Sequence, residues 1–293
     1  MAIFNVSGLH LPFMKYRKIW FAISMGCILV SAVLLLTKGL NLSVDFTGGL
    51  VLQVKFDSAV DVADIRKSLS NIGQGQAIIQ SYDKNDVLIR FQAQDESVRR
   101  TVLETLRKDF GGLTVLKIDK VGPVVGKELR MQAVISLVLA LLGILLYMAF
   151  RFKFRFGVAA VLSLLHDAII MLGVYSLTGK EVSVSFIAAV LTVVGYSLND
   201  SIVVLDRVRE NWRLLGKCGI IQLVDDSVNQ TLARTVNTSL TTLLPVIAMC
   251  VFGGEVISNF AFAFLVGIAI GTYSSIYIAS SIVAEWYLRS PKS

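Results

Sequence analysis

The sequence predicts a polytopic α-helical membrane protein with six transmembrane helices and one small α+β ferredoxin-like extracytoplasmic domain between helices one and two. Three observations carry that expectation. Hydrophobic residues make up 55% of the 293-residue chain against 17% charged, and the mean hydropathy is +0.69, above what a soluble domain of this size carries. Six apolar runs each approach or exceed the roughly 20 residues that cross a hydrocarbon core about 30 Å thick. The one long polar stretch, from Lys38 to Arg130, shows instead the strand and helix periodicities of a folded domain.

Taken in order, residues 1–18 read as a cytoplasmic N-terminus and 19–37 as a first span, a retained signal anchor because the run is too long and too weakly flanked by small residues for cleavage. Residues 38–130 form the polar domain. A β-rich stretch, 42–56, precedes a helix over 61–72 that sets Val62, Ile65, Leu69 and Ile72 on one face. Short apolar runs at 77–82 and 87–91 are joined by Asp83, Lys84, Asn85 and Asp86, which is hairpin turn chemistry. A second helix carries Val98, Val102, Leu106 and Phe110 on one face and stops at Gly111 and Gly112; 114–121 reads as a last strand. The order β-α-β-β-α-β is the split unit of ferredoxin-like folds. The remaining spans fall at 131–150, 157–177, 183–205, 232–252 and 258–287, with a cytoplasmic loop at 206–231 and a tail at 288–293.

The net charge of +7 would suggest nucleic acid in a soluble protein, but the basic residues border the apolar runs. Lys15, Arg17 and Lys18 precede span one, Arg151, Lys153 and Arg155 separate spans two and three, and Arg207, Arg209, Arg213 and Lys217 follow span four. With Arg289 and Lys292 they define the cytoplasmic side, as inward loops are Lys/Arg-rich. Both termini then lie inside, the domain lies outside, and a nucleic-acid partner is excluded. The cysteines, Cys27, Cys218 and Cys250, form neither a disulfide framework nor a metal-spacing pattern, so no metal or cofactor is expected.

Ionisable residues inside spans are costly and mark function by default. Span four carries Asp200 on its cytoplasmic half, next to Asn199, and span five sets Gln230, Arg234, Thr238 and Thr241 on one face, near Asn237. Because these spans are antiparallel, Asp200 and Arg234 are expected to meet at similar depth, either as a switchable site or as a fixed ion pair that orients two helices. His166 and Asp167, near the middle of span three, could supply a supporting polar shell or merely satisfy each other across helices. In span six, Ala263, Gly267, Gly271 and Ser275 recur every four residues, a stripe that lets another helix approach and suggests a missing partner surface.

Several stretches together resemble the SecF family of the SecDF protein-export factors, relatives of the resistance-nodulation-division transporters. They are Asp45, Phe46, Thr47, Gly48 and Gly49 after Val44; Val121, Gly122, Pro123, Val124, Val125 and Gly126; His166 and Asp167; residues 195–211; and residues 234–244. Ser43 stands where the family pattern has glycine. The resemblance implies a six-helix half that pairs with SecD, assists late translocation of a preprotein at SecYEG, and is driven by protons through Asp200, Arg234 and Thr238 with a further carboxylate from SecD. Burial favours a neutral carboxyl group and a nearby guanidinium favours the ionised one, so moving Arg234 relative to Asp200 would release or bind a proton. Rival readings are a half-sized small-molecule exporter of the same superfamily, a structural partner of SecD without a proton role, and an intramembrane aspartyl protease using Asp167 and Asp200. The last lacks a Gly-x-Gly-Asp pattern before Asp200.

Overall fold

The computed structural model describes residues 11–75, 77–81, 84–91, 96–152, 154–214 and 218–289. Tyr82, Asp83, Lys153, Lys217 and Lys292, used in the turn and charge readings, lie outside them. The chain forms two units, one made of residues 1–41 and 135–293 and the other of residues 42–134.

In the second unit, strands β1 (Gly49–Phe56), β2 (Ile78–Ser81), β3 (Asp86–Phe91) and β4 (Leu113–Val121) alternate with helices α1 (Val62–Ser70) and α2 (Glu96–Phe110). The sheet order is β2-β3-β1-β4 and every neighbouring pair is antiparallel. Side-chain alternation on β1 turns Leu50, Leu52, Val54 and Phe56 to one face, where they meet Val87, Ile89 and Phe91 of β3 and the helix residues Ile65, Leu69, Val102 and Leu106. Each of the fully buried aliphatic side chains contributes about 1.5–3 kcal/mol. Asp61 starts α1 by accepting a hydrogen bond from the Ala63 N–H at 2.8 Å.

One element departs from expectation. Within the β-rich stretch, Val44–Thr47 is a single helical turn. The reason is local: the Ser43 hydroxyl accepts a hydrogen bond from the Asp45 N–H at 3.2 Å, a capping bond that competes with strand pairing. Serine therefore fits here without any need for glycine, since Ser43 has φ −67°. The turn ends at Gly48 with φ 72°, and Gly49 follows at φ 138°. These backbone angles exclude ordinary side chains, which accounts for the glycine pair. The turn rests on Gly126, where an added Cβ would lie 2.9 Å from the Phe46 carbonyl oxygen and 3.1 Å from the Gly48 nitrogen. Both glycine-bearing motifs thus share one backbone contact. Gly126→Ala is expected to destabilise this unit by about 1–3 kcal/mol, seen as at least a fivefold faster thermolysin cleavage in membranes; unchanged cleavage would refute the contact.

In the first unit and its continuation, six helices are long and apolar enough to cross a membrane: Phe13–Thr37, Val124–Arg151, Phe154–Thr178, Val184–Leu214, Ile220–Phe252 and Ile257–Arg289. They are numbered spans one to six. Spans three, four and six hold the buried centre, span five packs on four and six, and span one packs on three. Span two leaves most of its apolar residues uncovered, Met148 excepted.

The expected loop at 206–231 is a correction. Helix persists to Asn211, a short 3-10 segment covers Trp212–Leu214, and span five starts at Ile220. Two features extend these helices. Arg207 pairs with Glu210 at 2.8 Å and Arg209 with Asp206 at 3.7 Å, both at i, i+3. On span five, Ile220, Leu223, Val224 and Val228 bury themselves with Phe156, Val204 and Val208. Span six also contains a π-helical segment, Ser275–Ala279, between α-helical stretches.

Candidate functional site

Asp200 is 2% exposed and sits where spans four, five and six meet. Ser239 of span five donates to its Oδ2 at 3.5 Å, and the Ser239 hydroxyl also lies 2.6 Å from Thr272 Oγ1 of span six. Beside it on span four, Ser201 Oγ lies 2.9 Å from Ser275 Oγ, and Ser275 donates to the Ser197 carbonyl at 3.2 Å. Among the described residues no basic group comes within 4 Å of the Asp200 carboxylate.

The expected meeting of Asp200 with Arg234 is therefore absent in this conformation. Arg234 is exposed and lines an open cleft of about 440 Å³ between spans four and five, together with Asn199, Asp206, Arg207, Glu210 and Gln230. The physical reason is azimuth. Span five turns Thr231, Thr235 and Ser239 inward, and Arg234, one residue before Thr235, is rotated by about 100° from that face. Asn199 likewise points to the cleft, although it adjoins Asp200 in sequence.

Thr238 shares the half-exposed side of span five and donates back to the carbonyls of Arg234 at 3.0 Å and Thr235 at 2.9 Å. Thr241 does the same toward Asn237 and Thr238. Such back-bonding satisfies a hydroxyl within its own helix and leaves its lone pairs available. Asn237 donates to the Ala233 carbonyl at 2.7 Å, while its buried Oδ1 has no partner among the described residues.

His166 and Asp167 form a centre of their own. Asp167 is 1% exposed, and its carboxylate accepts from Ser197 of span four at 2.7 Å and from Ser274 of span six at 2.8 Å, with His166 Nδ1 at 2.9 Å. One side chain thus ties three spans together. The serines Ser197, Ser201, Ser239, Ser274 and Ser275 were not singled out as a polar network by sequence reasoning. The available signal was spacing: Ser197 and Ser201 flank Asp200 on one side of span four.

The small-residue stripe packs helices of this chain, and only its reading as a missing partner surface needs correction. Gly267 and Gly271 face span four within the same chain, where an added Cβ would lie 2.5 Å from Val193 Cγ2 and 2.8 Å from Ser197 Cβ respectively. Ser275 continues the stripe by bonding to span four, and Ala263 is fully buried. The close approach is intramolecular, so the stripe is no sign of a missing partner.

Comparison with known proteins places this geometry. Residues 33–60 match the SecD/SecF GG motif, and residues 101–289 match the C-terminal region of the protein export membrane proteins SecD/SecF. The chain is 43% identical over 291 residues to the protein translocase subunit SecF of Desulfurispirillum indicum, covering 96% of this chain and 93% of that one. It is 46% identical over 269 residues to the protein translocase subunit SecDF of Thermus thermophilus, covering 89% of this chain and 36% of that longer one. The crystal structure of SecDF from Thermus thermophilus, a translocon-associated membrane protein, superposes with a TM-score of 0.90 at 43% identity, covering 98% of this chain and 40% of that one. Family models over most of the length and a near-full-length relative agree: the chain belongs to the SecF family of protein export membrane proteins.

Proposed function

We propose that the chain is the SecF subunit of a SecDF complex that uses the proton motive force to assist late preprotein translocation through SecYEG, in the bacterial inner membrane. The observation that carries this reading is the placement of Asp200: a carboxyl group 2% exposed, with no cation within 4 Å among the described residues, one helix face away from a cleft that holds Arg234. A buried carboxyl group with neither a cation nor several close hydrogen-bond donors, as here where Ser239 stands at 3.5 Å, favours the neutral form, and one that faces a guanidinium favours the ionised form. A rotation of span five that carries Arg234 from the cleft toward Asp200 would convert one state into the other, and Thr238 on the same face would move with it.

One proton crossing the membrane supplies about 2.3 kcal/mol per 100 mV. That biases packed helices between two arrangements but does not drag a long polypeptide, so repeated cycles are required. SecD would complete the site with a further carboxylate and cover the exposed side of span five. The single-chain SecDF relative supports this pairing, since there the matching segment is part of one longer chain. Neither metal nor cofactor enters the scheme, and no bond-making enzymatic step is invoked.

The test is reconstitution with SecD and SecYEG in inverted vesicles, in which imposing a proton gradient should increase preprotein translocation only when this chain is present. Equal gain without it would overturn the reading. Orientation follows from the Lys/Arg clusters, with both termini inside and residues 38–130 outside. In a cysteine-free background, a cysteine replacing Arg213 should react only with a permeant reagent from outside the cell, and one replacing Lys84 should react with an impermeant reagent. The opposite pattern would invert the topology.

A further inference from the structure

The pair His166–Asp167 lies outside the Asp200 site and is built for charge. His166 is 4% exposed and Asp167 is 1% exposed. The carboxylate accepts from the hydroxyls of Ser197 and Ser274, and His166 Nδ1 lies 2.9 Å from its Oδ1, in position to be a third donor. That donor set matches the ionised form, which only accepts hydrogen bonds. Among the described residues no Lys or Arg lies within 4 Å of Asp167, and its one ion-pair partner is His166.

With a neutral imidazole, the pair would carry an uncompensated negative charge at the centre of three packed spans, which is costly in a membrane interior. The group able to compensate it is the imidazole itself. With Nδ1 facing Asp167 Oδ1 at 2.9 Å, the open position is Nε2, and that atom is buried with no hydrogen-bond partner among the described residues. A satisfied structural histidine would use both ring nitrogens. Among the described residues the surroundings add no cation paired with Asp167 other than His166. Span six stacks the Tyr273 ring on His166 at 6.2 Å between centroids. The Tyr273 hydroxyl lies 3.0 Å from Ser24 of span one and donates to the Trp20 carbonyl at 3.2 Å, and Cys27 lies beside it. Span four contributes Ser197.

We infer that His166–Asp167 is a second proton-binding site, in which Nε2 takes up one proton and Asp167 holds the resulting imidazolium. The balance is simple. An O–H bond of a hydronium ion from the aqueous phase breaks, an N–H bond forms at Nε2, Nδ1–H stays donated to Asp167, and the pair goes from one negative charge to none. Since Asp167 also holds Ser197 and Ser274, the charge state of the pair bears on the packing of spans four and six, which flank Asp200. Only that last consequence rests on the proton-driven reading above; proton binding at Nε2 stands without it.

The chain has two histidines, His10 and His166, so His10→Gln leaves one imidazole to observe. With ¹⁵N-labelled histidine, in the complete chain in lipid nanodiscs, the expected spectra show a neutral ring protonated at Nδ1 at alkaline pH and a doubly protonated ring as the pH falls, in a one-proton titration. Asp167→Asn should lower the ratio of imidazolium to neutral ring at least tenfold at any given pH. Should that variant fail to fold, the tautomer and titration in the His10→Gln chain decide alone. A ring that stays neutral throughout the pH range where the fold holds, or a neutral ring protonated at Nε2, overturns the inference. Because the readout needs no translocation, its failure is distinct from failure of the function proposed above. A chain that titrates at His166 yet gives no proton-dependent translocation would overturn the function alone.

Discussion

Asp200→Asn is expected to leave the protein inserted and abundant while removing all proton-dependent gain in translocation. The substitution keeps the size of the side chain and can still accept from Ser239, whose hydroxyl stands 3.5 Å away. What it removes is the capacity to titrate. Arg234→Met should have the same functional effect at almost no cost in stability, within about 0.5 kcal/mol, because the guanidinium lies in an open cleft and pairs with no buried charge in this conformation. That contrast discriminates between a relay and a fixed ion pair. A fixed pair would make each single substitution destabilising and the double substitution restorative. A relay predicts a double mutant that folds as well as its parent and remains inactive. Full proton-dependent translocation by Asp200→Asn/Arg234→Met in inverted vesicles would falsify the relay.

Gly267→Leu should be among the most destabilising single changes in the bundle. An added Cβ there already meets both methyls of Val193, at 2.5 and 2.6 Å, and Val193 is a β-branched side chain with no freedom to turn aside. Separating spans four and six to fit leucine would also pull Ser275 away from Ser201. A loss of about 3 kcal/mol, the upper end of overpacking costs, should appear as a lower midpoint of thermal unfolding in mild detergent. Gly267→Ala should lose less, because alanine recovers about 1 kcal/mol of helix propensity. Adding Val193→Ala should then restore most of the remainder. A Gly267→Leu chain as stable as its parent would mean that the two spans do not touch here.

These two sites differ in how much of them could be read from sequence. Asp200, Arg234, His166 and Asp167 stand out because charge in an apolar run is rare, and the six runs themselves are visible for the same reason. What depth along a helix does not give is direction around it. Asp200 and Arg234 were expected to pair because they lie at similar depth, yet a difference of one position between Arg234 and Thr235 turns the guanidinium into the cleft. The serine network is nearly silent in sequence, since serine is indifferent to hydropathy and each hydroxyl can satisfy itself on its own helix. The π-helical segment at Ser275–Ala279 has no composition signal at all, being settled by what the flanking turns pack against. The helical turns within 206–214 and 220–231 were legible in principle. Their charges fall at i, i+3 and their apolar residues at 220, 223, 224 and 228 follow a helical period, but low mean hydropathy masked both.

The way span one is held gives the bundle an order in time. Near one end it meets span three, where Ser176 donates to the Leu34 carbonyl across 142 residues of sequence. Toward the other end it meets span six, through Ser24 with Tyr273, separated by 249 residues, and Arg17 with Glu285, separated by 268. A ribosome adding about 5–20 residues per second needs on the order of 10–50 s to make the chain between Ser24 and Tyr273. Once Ser176 has been made, span one can seat at that end while its other end waits for the turns around Tyr273 and Glu285 that lock it.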